Sequence, residues 1–185
     1  MQSNTKRNGF TLVELVMVMA IVAILAGIAT PFLLKAIPNM RLRSTARDIY
    51  SAMMQAKVEA IRRGENVTLL FNSPGDSYIM FLDNGAGAGG ANDQTPNGTE
   101  PVIIHLTALP NRVTYDPGLV VDATPYADGV SFGSNAIIFT SRGMPVNAGG
   151  GFGAGTVGLR AVDANGNTQR QRTITVSKAG RIRIQ

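Results

Sequence analysis

Gly9-Phe10-Thr11-Leu12-Val13-Glu14 opens an apolar run that continues to Leu34. Of the 25 residues from Phe10 to Leu34, Glu14 alone carries an ionisable side chain. A helix of this length, rising ~1.5 Å per residue, is long enough to cross a hydrocarbon core of ~30 Å. The run therefore predicts a transmembrane helix segment over residues 10–34 and a chain anchored at its start.

Residues 1–9 form a polar head with Lys6 and Arg7. A secretory signal peptide has an apolar region of roughly 7–15 residues and a small-residue cleavage site. This run is longer, and Ala26-Gly27-Ile28-Ala29 only loosely imitates such a site. Lys6-Arg7-Asn8-Gly9-Phe10-Thr11-Leu12-Val13-Glu14-Leu15 instead resembles the class III signal of type IV pilins and type II secretion pseudopilins. The resemblance implies that a prepilin peptidase cuts after Gly9, removes residues 1–9 as a leader and N-methylates Phe10.

A carboxylate inside a membrane helix is costly and calls for a partner. The resemblance gives Glu14 one, the N-terminal amine of Phe10 in a neighbouring subunit. The plainer reading is an acid at a helix N-terminus, where the dipole mildly favours negative charge. Pro31 and Pro38 fall within the helical pattern and predict a kink or loosened stretch. In pilins a proline at this depth marks where the helix melts on filament packing, which singles out Pro31. Lys35, Arg41, Arg43 and Arg47 follow the run and outnumber Lys6 and Arg7, so a positive-inside count alone favours the opposite topology. The processing signal nevertheless implies a cytoplasmic N-terminus and a periplasmic domain, since long domains translocate largely regardless of charge.

Beyond the anchor about 150 residues remain, enough for one domain with its own core. The formal charge of +5 falls to +3 once Lys6 and Arg7 are removed. So small a balance does not by itself demand a polyanionic partner. The chain has no cysteine, which excludes disulfides, thiolate metal sites and cysteine nucleophiles.

Leu42, Ala46, Ile49, Met53, Ala56 and Ala60 step by three or four and mark the buried face of an amphipathic helix over residues 35–64, with Gly64 as its stop. Residues 65–185 read as a β-rich globular domain. Its β-rich runs are 67–71, 78–82, 102–106, 136–140, 156–162, 172–176 and 181–184, bounded by Gly, Pro, Asn or Asp. The Gly-rich segments 83–101 and 147–155 predict long mobile loops. The fold class is α+β, with a long N-terminal helix whose outer half packs on an antiparallel sheet. Ala56-Lys57-Val58-Glu59-Ala60-Ile61-Arg62-Arg63-Gly64 is similar to the helix end of GspH/FimT-type minor pseudopilins, with Lys57 where arginine is usual. Phe139-Thr140-Ser141-Arg142-Gly143-Met144-Pro145 and Gly180-Arg181-Ile182-Arg183 also resemble that family.

Several enzyme-like strings lack their required context. Gly85, Gly87 and Gly90 match the dinucleotide-binding spacing but open no predicted helix. Asp83, Asn84, Asp93 and Glu100 are oxygen donors without EF-hand spacing and read as solvated loop acids. Gly129-Val130-Ser131-Phe132-Gly133 matches a nucleophile elbow, yet the single histidine, His105, precedes it. One histidine and no cysteine make a zinc site equally unsupported. No metal, cofactor or catalysis is expected.

From Arg160 to Gln185 the basic residues are Arg160, Arg170, Arg172, Lys178, Arg181 and Arg183, against the single acid Asp163. Each i, i+2 arginine pair shares one strand face. If the two strands are neighbours, four guanidinium groups are expected to converge on one phosphate-binding patch. The plainer reading is a charged edge strand that discourages unwanted pairing. The family resemblance implies a minor pseudopilin of the type II secretion pseudopilus, inserted in the inner membrane and packed with other pilins and an assembly platform. Its alternative is a FimT-like minor type IV pilin that binds DNA for uptake through Arg170, Arg172, Lys178, Arg181 and Arg183.

Overall fold

The computed structural model describes residues 10–73, 75–85, 90–91, 93–147, 149–163 and 165–185, without the side chains of residues 31, 32, 34, 35 and 106. One helix, α1, runs from Leu12 to Arg63. The chain divides into two compact units, Met1–Ile37 and Pro38–Gln185.

In the first unit, Leu12–Thr30 is long and apolar enough to cross a membrane by length and composition, and its side chains are exposed in the isolated chain. The helix is unbroken through Pro31 and Pro38 in the single chain. A proline removes one backbone donor, and the remaining helical bonds of a long segment carry it past the gap.

In the second unit, the α1 residues at the predicted spacing, Leu42, Ala46, Ile49, Met53, Ala56 and Ala60, are all buried in the main core. Alanine recurs on this face, which lets the helix backbone lie close to the strands. The helix ends where glycine permits it. Gly64 takes φ +71° and its N–H bonds the carbonyl of Ala60 at 3.0 Å.

The strands, all paired antiparallel, form three sheets. The largest has the order β3 (Val102–Ala108), β2 (Ser77–Leu82), β1 (Val67–Asn72), β7 (Ala136–Phe139) and β8 (Pro145–Val146). The second has the order β11 (Ile182–Ile184), β10 (Thr168–Val176), β9 (Gly155–Val162) and β4 (Val113–Tyr115). A small ribbon joins β5 (Leu119–Val121) to β6 (Thr124–Tyr126). Val67, Leu69 and Phe71 from β1, Ile137 and Phe139 from β7, Val157 and Leu159 from β9, and Ile174 and Val176 from β10 share one core with α1. The alternating side chains of both larger sheets thus close over the helix.

All seven predicted runs are strands. Residues 113–115, 119–121, 124–126 and 145–146 add four more, too short for an alternation pattern to be visible. The Gly-rich segments differ from expectation. Asp83 and Glu100 are buried, not solvated. Asp83 accepts hydrogen bonds from Thr68 Oγ1 at 2.8 Å and Gln94 N at 3.2 Å, while Glu100 accepts from Gly85 N at 3.3 Å and Asn97 N at 3.1 Å. The two carboxylates satisfy backbone donors that this segment's sparse apolar content leaves unpaired, clasping it at both ends. In the second segment Asn147 organises a turn, its Oδ1 accepting from Gly151 N at 2.9 Å.

Candidate functional site

The functional surfaces begin at the helix start. Gly9 lies outside the described residues, and Phe10 is fully displayed ahead of α1. Thr11 caps the helix, its Oγ1 accepting the Glu14 N–H at 3.2 Å. Threonine followed three residues later by an acid is a capping signature, legible in the sequence but overlooked there. Glu14 sits in the first turn, where its charge suits the helix dipole. Pro31 lies inside the continuous helix.

The C-terminal arginines do not form the expected four-residue patch. Strands β10 and β11 are neighbours, but Arg183 lies opposite Thr175, whereas Ile182 and Ile184 lie opposite Val176 and Ile174. Arg172 shares its side of β10 with Ile174 and Val176, opposite Leu159 of β9, and Arg170 lies opposite Ala161. Arg170 and Arg172 are therefore on the core-facing side of the sheet, and Arg183 is on the outer side. A neighbouring pair of strands brings two arginine pairs together only when their registers agree in parity, and here they differ by one. Arg181 is exposed two residues before Arg183, and Lys178 is exposed in the intervening turn.

A different cluster forms instead. Arg172, half-buried near the sheet margin, meets Arg43 and Arg47 of α1 across an open cleft of ≈ 360 Å³ whose remaining walls are Ala46 and Ile184. Arg43 and Arg47 are one helical turn apart and exposed. None of these three guanidinium groups has a hydrogen bond or ion pair among the described residues. Arg41 by contrast donates to the Asn111 carbonyl at 3.1 Å, and Arg62 and Arg63 share the Glu59 carboxylate at 2.7 and 2.9 Å. Those two guanidinium groups hold the Glu59 carboxyl below its ordinary value. Arg160 is also occupied, donating to Thr114 Oγ1 at 3.2 Å and Thr168 Oγ1 at 3.3 Å.

The other enzyme-like strings serve the scaffold. Ser131 Oγ accepts the Thr156 N–H at 2.7 Å and leads into a 3₁₀ turn, Gly133–Asn135, rather than a nucleophile-bearing α-helix. His105 is an exposed residue of β3. Among the described residues no helix follows Gly85 and Gly90 before β3, and Gly87 lies outside them. Among the described residues no group of three or more histidines and acids is placed to hold a metal ion.

Residues 45–180 match the family model described as type II transport protein GspH, and residues 4–30 match the prokaryotic N-terminal methylation motif. The chain is 28% identical over 192 residues to the pilin-like protein PilA1 of Thermus thermophilus, covering 97% of this chain and 99% of that relative. Its fold is similar to that of the minor pseudopilin EpsH from the type 2 secretion system of Vibrio cholerae, with TM-score 0.50 at 12% identity over 78% of this chain and 96% of the other. It is equally similar to the type IV minor pilin FimU of Pseudomonas aeruginosa, with TM-score 0.50 at 16% identity over 80% and 90% of the two chains.

Proposed function

Because the chain belongs to the GspH family of pilin-like proteins, we propose that it acts as a minor pilin of a type IV pilus, with DNA as the polyanion met by its basic surface. At the coarser level it is a minor pilin or pseudopilin of a type IV pilus or type II secretion system, a structural subunit and not an enzyme. Its methylation motif marks it for prepilin peptidase and for assembly with other pilin-like subunits.

The observation that carries the pilus assignment is the end-to-end relative. The Thermus pilin-like protein aligns with both the anchor and the globular domain, whereas the likenesses to the secretion pseudopilin and to the type IV minor pilin both rest on fold, at 12% and 16% identity. In this reading the peptidase cuts after Gly9 and methylates Phe10. Glu14 pairs with the Phe10 amine of the next subunit, and Pro31 permits local melting during packing. Before assembly the chain spans the inner membrane once, with its N-terminus cytoplasmic and its globular domain periplasmic.

A subunit of the type II secretion pseudopilus is the second reading, favoured by the description of the family model that covers residues 45–180. Filaments sheared from the native host decide between them. Recovery of this chain in sheared pili, with unchanged exoprotein secretion on its deletion, is the outcome expected. Its absence from pili together with loss of exoprotein secretion would assign it to the secretion system.

A further inference from the structure

Arg43, Arg47 and Arg172 are three like charges that line one cleft, and no acid among the described residues forms an ion pair with them. Such an arrangement is repulsive, weakly so where solvent and salt screen it, and a bound anion offsets the repulsion. The acid nearest in sequence, Asp48, forms no ion pair with any of them among the described residues. Arg41, Lys57, Arg62, Arg63 and Arg160 are held by protein partners, whereas these three guanidinium groups from two separate elements line one cleft.

We propose that the cleft formed by Arg43 and Arg47 of α1 and Arg172 of β10 binds the phosphodiester backbone of duplex DNA, independently of base sequence. Guanidinium groups present paired donors that match phosphate oxygens. The cleft is open, and Arg170 continues the basic line along the same side of β10, which suits a polymer with repeated charges better than a single small anion. Its other walls, Ala46 and Ile184, offer no aromatic ring on which an unstacked base would rest. The exposed Arg181 and Arg183 are a separate surface on the outer side of the sheet. This inference rests on the DNA-binding part of the proposed function and assigns it to the helix–sheet cleft in place of the tail.

The test uses the full chain in detergent micelles, with a short fluorescent duplex of random sequence titrated across salt concentrations. Arg43→Gln/Arg47→Gln/Arg172→Gln is expected to weaken binding about tenfold or more at low salt. It should also reduce the slope of log affinity against log salt by about 2 to 3, as three phosphate contacts are lost. Arg181→Gln/Arg183→Gln is expected to do less on both counts. Should the triple substitution impair folding, Arg43→Gln and Arg47→Gln alone, both on exposed positions, should each lower the slope by about 0.9. Unchanged binding in the cleft variant, with loss in the tail variant, overturns the cleft and leaves DNA binding standing. No binding by the unaltered protein overturns both. Competition by polyglutamate as effective as that by duplex at equal charge also overturns the proposal, since the cleft would then be a carboxylate docking site for protein.

Discussion

Lys57 Nζ donates a hydrogen bond to the Gly180 carbonyl at 3.1 Å, joining the last turns of α1 to the turn before β11 across 123 residues of sequence. The same junction receives Gly143, whose carbonyl oxygen lies 3.2 Å from where a Gly180 Cβ would stand. Three separated stretches of family-like sequence thus meet at one point. Lys57→Ala is expected to cost about 1.5 kcal/mol in urea unfolding, as a charged donor is removed from a part-buried carbonyl. Lys57→Arg, which keeps the charge and adds donors, should stay within about 0.5 kcal/mol.

Gly143 has φ +72°, and a Cβ there would come within 2.8 Å of Ile61 Cδ1 and 3.2 Å of Lys57 Cε. The side-chain ends can move, but the left-handed backbone remains strained for any L residue. Gly143→Ala is therefore expected to lower stability by about 1–2 kcal/mol. Adding Ile61→Ala should recover little of it, which thermal unfolding of the single and double variants checks.

The buried Asp83 carboxylate holds Thr68 and the Gln94 backbone. Asp83→Ala strands both donors and is expected to cost about 2 kcal/mol or more. It should also speed proteolysis between residues 84 and 99. Asp93→Ala, at an exposed carboxylate that caps its own local turn, should change stability by less than about 0.5 kcal/mol.

Tyr115 is buried and its hydroxyl donates to the Ser77 carbonyl at 2.8 Å. Burial first, then the nearby Asp76 and Tyr78, push its phenol well above the ordinary 10.0. In the unfolded chain the phenol ionises near that ordinary value, while the fold keeps it protonated. Its stabilising contribution is therefore complete below about pH 10 and declines as pH rises beyond it. Tyr115→Phe should cost about 1 kcal/mol at neutral pH by leaving the Ser77 carbonyl unpaired. The variant should show a shallower alkaline loss of stability, with some slope remaining from Tyr78, whose phenol is also raised by burial and by Asp48. Urea midpoints measured from neutral pH into the alkaline range test both parts.

Processing is checked by intact mass. Coexpression with a prepilin peptidase is expected to yield a chain that begins at Phe10 and is heavier by one methyl group, while Gly9→Val should leave residues 1–9 attached.

Much of this protein follows from local chemistry that any reader of the chain can use. An apolar run of 25 residues has few structural fates, a three-and-four spacing of small side chains fixes which face of α1 is buried, and β-rich runs between turn residues announce strands. The anchor, the core face of the helix and seven of the strands are determined that way. Registry is not, because it depends on which residues of distant strands lie opposite each other. A shift of one residue sends Arg183 to the outer side of the sheet while Arg172 stays on the core-facing side. Nor does sequence reveal that Asp83 and Glu100 are turned inward, since burial of a carboxylate is decided by the backbone donors folding brings to it. The meeting of Lys57 with Gly180, and of Arg43 and Arg47 with Arg172, likewise belongs to the packing of α1 against sheets assembled from the far end of the chain.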